Sequence, residues 1–242
     1  MLGLLLSSST SKIFETAADP QFQNSLTLTL LTSAAATLVG AIGAIPLAWL
    51  LARHNFPFKR LITGLIDLPV VIPHTAAGVA LLGFVSRDTL AGKLASMAGL
   101  NLVGSPVGIS IAMAFVSLPF LINAARSGFE AVPLRLEQAA ANLGASPARV
   151  LFTISLPMAS RSIAGGLVLM FARGLSEFGA VVIIAYNPMV TPVYLYDRLN
   201  NFGLEYATPV AILLLGVSLG VFVVSRALSK DFFYARNQRD KA

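Results

Sequence analysis

Residues 137–157 read EQAAANLGASPARVLFTISLP, a polar stretch of helical pattern set between apolar segments of membrane length. Glu137 and Gln138 precede three alanines, Gly144 closes the first helical run, and Ile154, Leu156 and Pro157 close the second. Pro133 suits the first turn of a helix running to Leu143, and Gly144 suits the left-handed position that ends it. Ser146 and Pro147 read as the N-cap and first residue of a second helix, which Pro157 ends or kinks. Two short helices joined by a tight turn make a knob that a partner's groove could grip. The plainer alternative is an amphipathic hairpin lying on a membrane surface.

The composition around this stretch sets the class. Of 242 residues, 56% are hydrophobic and only 12% charged, and the mean hydropathy is +0.77. Soluble domains carry about 25% charged residues, so half that fraction with long apolar runs marks a polytopic membrane protein. A net charge of +6 raises nucleic acid as a partner, but the basic residues cluster in alternate loops, which excludes it. With no cysteine there is no disulfide framework or thiolate metal site.

Five segments are long enough to span: Ser25–Ala52, Leu61–Val85, Pro106–Ala125, Ser162–Ala185 and Ala207–Leu228. Each approaches the ~20 residues that a ~30 Å hydrocarbon core demands of a helix. Open sheet is excluded by unpaired backbone groups in lipid, and the short alternating segments of a barrel are missing. The expectation is an all-α integral membrane protein of about five transmembrane helices. It divides into a lead at 1–24, external or interfacial, a transmembrane domain at 25–228 with the polar loop at about 127–160, and a basic tail at 229–242. Twelve lysines and arginines fall on the side that holds the loop and the C-terminus, four on the other, and Arg173 lies inside a span. Positive charge marks the cytoplasmic side, so the N-terminus is expected outside, and the C-terminus and polar loop inside. The external loops are short: 86–105 reads as a small amphipathic helix, and the aromatics of 186–206 suit a membrane–water belt or an external partner.

Few residues carry chemistry. No G-x-x-x-x-G-K-[ST] loop is present, and no Ser–His–Asp set or paired carboxylates point to an enzyme. His54 belongs to a solvated basic turn. His74 has no second ligand at metal spacing. The ionisable groups within spans are Asp67, Arg173 and Glu177, and such groups are costly and tend to be functional. Arg173 and Glu177, at i and i+4, can pair along one helix face, either as a structural ion pair or as part of a pathway or gate. Asp67 favours a cap or surface role. In DLPVVIPHTAAG, residues 67–78, Pro69 and Pro73 each disturb a helix, and His74 and Thr75 offer donors beside the break. Ser117 with Pro119, and Ser176 with Gly179, repeat the theme. The plain alternative is kinks and small-residue packing; a polar pathway through His74, Thr75, Ser117, Arg173, Ser176 and Glu177 also accounts for the polar groups at the breaks.

The spacing of Ala139, Ala140, Gly144, Ile154, Leu156 and Pro157 resembles the coupling loop of ABC importer permeases, and it favours the knob over the surface hairpin. Gln138 stands where that family has Glu, with Glu137 one residue earlier. The segments DLPVVIPHTAAGVALL and RGLSEFGAVVIIAYNP are similar to those of molybdate and tungstate importer permeases, with related runs in sulfate permeases. The resemblance covers nearly all of residues 25–228. It implies a type I importer permease fold in a cell inner or plasma membrane. It also implies a second copy of the chain, two cytoplasmic ATPase subunits and an external binding protein. ATP and magnesium would be used by the ATPase, with no cofactor on this chain. Glu137, Gln138, Ala139, Ala140, Gly144, Ala145, Ser146 and Pro147 would then couple to that ATPase. The substrate implied is a tetrahedral oxyanion, most closely molybdate or tungstate, met by weak contacts from Thr75, Ser117 and Ser176. Rival readings are a sulfate or thiosulfate permease, a self-sufficient secondary transporter or channel, and an inert scaffold.

Overall fold

The computed structural model describes residues 9–239, with side chains through residue 224. Residues 1–8 of the lead and 240–242 of the basic tail lie outside the described residues. In chain order the helices are α1 (Thr10–Ala18), α2 (Pro20–Arg53), α3 (Lys59–Val71), α4 (His74–Val85), α5 (Leu90–Met97), α6 (Pro106–Glu130), α7 (Leu134–Asn142) and α8 (Pro147–Val150). A single π turn, Leu151–Ser155, leads into α9 (Leu156–Leu175), followed by α10 (Gly179–Ile184), α11 (Thr191–Phe202) and α12 (Leu204–Arg239).

Four helical stretches are long and apolar enough to cross a membrane: Pro20–Arg53, Pro106–Glu130, Pro147–Leu175 and Leu204–Val224. The fifth expected span is the α3–α4 pair, whose halves meet at 117°. The cause is local. Pro73 cannot donate to the carbonyl four residues back, and it forces Ile72 out of the helical region, to φ −75° and ψ 147°. Pro119 lies within α6 without breaking it.

The fourth span differs from its expected bounds of Ser162–Ala185. It begins at Pro147 and ends at Leu175. Pro157, expected to end or kink the loop's second helix, sits instead in the first turn of α9. The π turn before it closes with the Leu156 N–H donating to the Leu151 carbonyl, five residues back. That wider turn lets the chain pass the proline as one rod. At the other end the rod stops at Ser176, and α10 starts afresh at Gly179.

The core forms where α2, α6 and α9 pack together. Around Leu51, Leu121, Ile122, Phe129, Ile163 and Met170 lies one apolar cluster. A second, around Ile109, Met113, Val116, Val181, Ile184 and Val193, joins α6 to α10 and α11. Hydroxyls buried in α2 are satisfied mostly by its own carbonyls, as in Thr29 Oγ1 to Ser25 O at 2.6 Å and Thr37 Oγ1 to Ser33 O at 2.8 Å. Two reach further. Ser33 donates to the Phe171 carbonyl of α9 at 2.8 Å, and Thr29 Oγ1 accepts the Thr191 N–H at 2.8 Å. Val190 offers α11 no side-chain cap, so α2 supplies one from across the bundle.

The two loops expected outside fold more than expected. Residues 86–105 carry the anticipated short helix, α5, and 186–206 hold the three turns of α11. Within the 1–24 stretch, α1 packs against the start of α12 and α2 begins at Pro20. Arg198 caps this end, bonding Gln21 at 2.8 Å and pairing with Asp19 at 3.4 Å while lying over the Tyr194 ring at 4.7 Å. Burial, more than the bond to Asp19, pushes the Tyr194 phenol above its usual range, so it stays a donor to Asp19, at 2.8 Å.

Candidate functional site

Two clusters of candidate side chains emerge, one at the knob and one at the junction of the two broken helices. In the knob, α7 ends in a turn in which Gly144 adopts φ +86°, the left-handed geometry expected of it. Nothing lies within 4 Å of where a Gly144 side chain would start, so the glycine is there for its backbone rather than for space. Ser146 accepts from the Arg149 N–H at 3.3 Å and Pro147 opens α8, as the sequence implied. Pro133 precedes α7 as its N-cap.

The outward face of the knob holds Gln138, Ala139, Gly144, Ser146 and Pro147, all exposed, with Ala140 and Ala145 half-buried. Leu134, Leu136 and Leu143 add an exposed apolar patch that the motif reading did not single out; Leu143 is 89% exposed. Glu137 points the other way. Its side chain is 8% exposed and takes a bidentate pair of bonds from Arg53, Nε to Oε2 and NH2 to Oε1, both 2.8 Å. Ser155 of the π turn donates to Oε1 at 2.6 Å, and Arg53 NH2 also donates to the Val132 carbonyl at 3.0 Å. One carboxylate therefore ties the knob to the end of α2 and to the root of α9. Arg53 and Ser155 were missed in the sequence. Their only signal there is a cation at the end of an apolar run and a serine just ahead of Leu-Pro.

The second cluster forms where the α3–α4 break meets the α9–α10 break. Gly78 and Gly179 let α4 and α10 lie nearly backbone to backbone. A Cβ on Gly78 would fall 2.9 Å from Ala180 Cα, and one on Gly179 would fall 2.8 Å from His74 Cβ. This contact brings His74 to Glu177, 103 residues away in sequence. Glu177 is fully buried; its Oε2 lies 2.8 Å from Arg173 NH2 and 2.9 Å from His74 Nδ1, and its Oε1 accepts the Ala180 N–H at 2.8 Å. The Arg173–Glu177 pair spans the end of α9 rather than one continuous helix face.

Of the other pathway candidates, Thr75 and Ser176 are exposed beside this junction, and Arg173 NH1 reaches Ser176 Oγ at 3.4 Å. Ser117 is not with them. Buried in α6, it donates to the Met113 carbonyl at 2.6 Å, the usual fate of a serine inside an apolar helix. Asp67 is not a cap: half-buried in α3, it accepts from Asn123 of α6 at 2.7 Å in an exposed bond. His54 ends α2, exposed and edge-on to the Trp49 ring at 5.6 Å. Among the described residues no group of three or more His, Cys, Asp or Glu could hold a metal ion.

Apolar helices, charged groups buried where two of them break, and a polar knob rooted in a span together define the membrane-embedded subunit of a transport system. The chain belongs to the family of binding-protein-dependent transport system inner membrane components, which matches residues 44–234. Among its relatives is the molybdate/tungstate transport system permease protein WtpB of Pyrococcus abyssi, 43% identical over 89% of this chain and 82% of that one. The WtpB of Methanocaldococcus jannaschii is 36% identical over 84% and 80%. A probable sulfate transport system permease protein cysT of Chlorokybus atmophyticus is 34% identical over 89% and 78%. Two solved structures share the fold. A bacterial ABC transporter involved in import of the acidic polysaccharide alginate matches with a TM-score of 0.74 at 19% identity, covering 96% of this chain and 88% of that one. The methionine transporter MetNI in inward-facing form matches with a TM-score of 0.70 at 13% identity, covering 87% and 95%.

Proposed function

We propose that this chain is the permease subunit of an ATP-driven importer for a tetrahedral oxyanion, molybdate or tungstate. The single observation that carries the ATP-driven part is the knob: an exposed helical turn with a leucine-studded face, clamped through Glu137 to two spans at once. Force applied to such a knob reaches α2 and α9 directly, which suits a subunit driven by an engine it does not itself contain. The working unit is two copies of the chain with two cytoplasmic ATPase subunits and an external binding protein. ATP and magnesium are handled by the ATPase. The N-terminus lies outside and the C-terminus inside, in line with the distribution of basic residues. Gln138, Ala139, Ala140, Gly144, Ala145, Ser146 and Pro147 form the docking turn, and Glu137 holds it in place. The junction of His74, Thr75, Arg173, Ser176 and Glu177 lies on the pathway or its gate, where switching between two packings would change access.

The choice of anion rests on the names of the WtpB relatives. Stimulation of ATPase activity in the reconstituted complex by binding protein loaded with tungstate, molybdate or sulfate tests it. Stimulation by the first two is expected. A response to sulfate alone would move the chain to the sulfate class, the second reading that the cysT relative favours.

A further inference from the structure

The charged junction has an asymmetry that suits it to anions. Its acid is the inaccessible member: Glu177 is 0% exposed, and its Oε1 is fixed by the Ala180 N–H at 2.8 Å. Its two partners are the accessible members: the side chain of Arg173 is 22% exposed and that of His74 is 33% exposed, and Arg173 NH2 also lies 2.6 Å from His74 Nδ1. Beside them stand the exposed hydroxyls of Thr75 and Ser176. A structural ion pair has no need to turn its cation toward the open side and bury its anion. Glu177 Oε2, receiving Arg173 at 2.8 Å and facing His74 Nδ1 at 2.9 Å, is chemically what one oxygen of a tetrahedral oxyanion would be.

We propose that Arg173 and His74 form the oxyanion contact of the translocation pathway, and that Glu177 is a built-in competitor for that contact. The assignment rests on the permease reading above. A guanidinium has five donors in a planar fork, so Arg173 can turn from the buried carboxylate to a passing dianion without leaving its helix end. Ser176 Oγ already lies 3.4 Å from Arg173 NH1, and Thr75, next in sequence to His74, is exposed. When the anion leaves, the carboxylate, still anchored to α10, takes the guanidinium back. A fixed, unopposed arginine would hold a dianion too tightly to release it, whereas a transport site must let its substrate go. Arg173 is therefore opposed rather than merely neutralised, and the hydroxyl contacts expected from the sequence become auxiliary to it.

The test uses the complete importer, permease with its ATPase, in nanodiscs without binding protein, and measures tungstate binding by equilibrium dialysis. Glu177→Gln keeps an acceptor for the Ala180 N–H and removes the competing charge. Tungstate affinity should rise about tenfold while import turnover in proteoliposomes falls. Arg173→Met should abolish the binding, and Arg173→Lys should retain part of it. A gain of affinity cannot come from misfolding, so Glu177→Gln keeps the test sound even if Arg173→Met fails to assemble. Wild-type tungstate import combined with unchanged affinity in Glu177→Gln overturns this assignment and leaves the permease reading standing. If the wild-type importer moves no oxyanion at all, the oxyanion reading of the permease falls, and this assignment with it.

Discussion

Removing the carboxylate of Glu137 would leave the Arg53 guanidinium, itself only 10% exposed, without its bidentate partner. Breaking a buried pair from one side costs about 3–5 kcal/mol, most of it the desolvated charge left behind. Glu137→Ala should therefore lower the melting temperature of the detergent-solubilised protein and weaken co-purification of the ATPase. The double variant Arg53→Met/Glu137→Met should recover thermal stability without recovering import, because packing would be restored but not the bonded tie. Gly144 fails differently. At φ +86° any side chain is strained, by roughly 1–2 kcal/mol for an ordinary residue and more for a β-branched one, yet no neighbour crowds the position. Gly144→Val should insert into the membrane with an unaltered bundle and lose ATPase docking, measured by pull-down of the partner. Wild-type transport by that variant would remove the knob from the mechanism.

At the scale of elements, the contact between α4 and α10 is what turns two helix breaks into one site. It depends on two glycines facing each other's backbones, which leave no flexible side chain to give way. Gly78→Val should separate the helices, pull His74 away from Glu177, lower thermal stability by about 2 kcal/mol or more and abolish import. Gly43→Ala in α2, where a Cβ meets nothing within 4 Å, serves as the control and should be neutral or slightly stabilising. The π turn at Leu151–Ser155 does comparable work at the other end of α9, since it makes the loop's second helix and the fourth span one continuous rod. A rod of 29 residues, Pro147–Leu175, runs from the knob to the position just before Ser176 and Glu177. On the proposed reading, displacement of the knob would be delivered to the charged junction as well as to α2.

For the whole molecule, the proposed reading gives the knob and the junction different work, and each should be separable in the assembled importer. Purified chain in proteoliposomes, without ATPase subunits, should accumulate no oxyanion against a gradient, whatever ion gradient is imposed. Uphill movement under those conditions would favour the secondary-transporter reading. In the complete complex, junction variants such as Arg173→Lys should lose import while ATPase subunits still co-purify, and knob variants should lose both.

The sequence alone determined the membrane class, the helical architecture, the knob's turn with Gly144 in the left-handed region and Ser146 as the next cap, and the proline break between α3 and α4. All of these are local. They depend on length of apolar run, proline's missing donor, glycine's freedom and serine's capping, which act within a few residues. Only the tertiary structure decided that Glu137 belongs to Arg53, 84 residues away, and that Glu177 belongs to His74, 103 residues away. It also decided that Ser117 faces the core and that the fourth span starts at Pro147. A buried charge announces that it needs a partner, but nothing in the linear chain says which one. That is settled by which helices can approach closely enough, and here small residues and a 117° bend settle it.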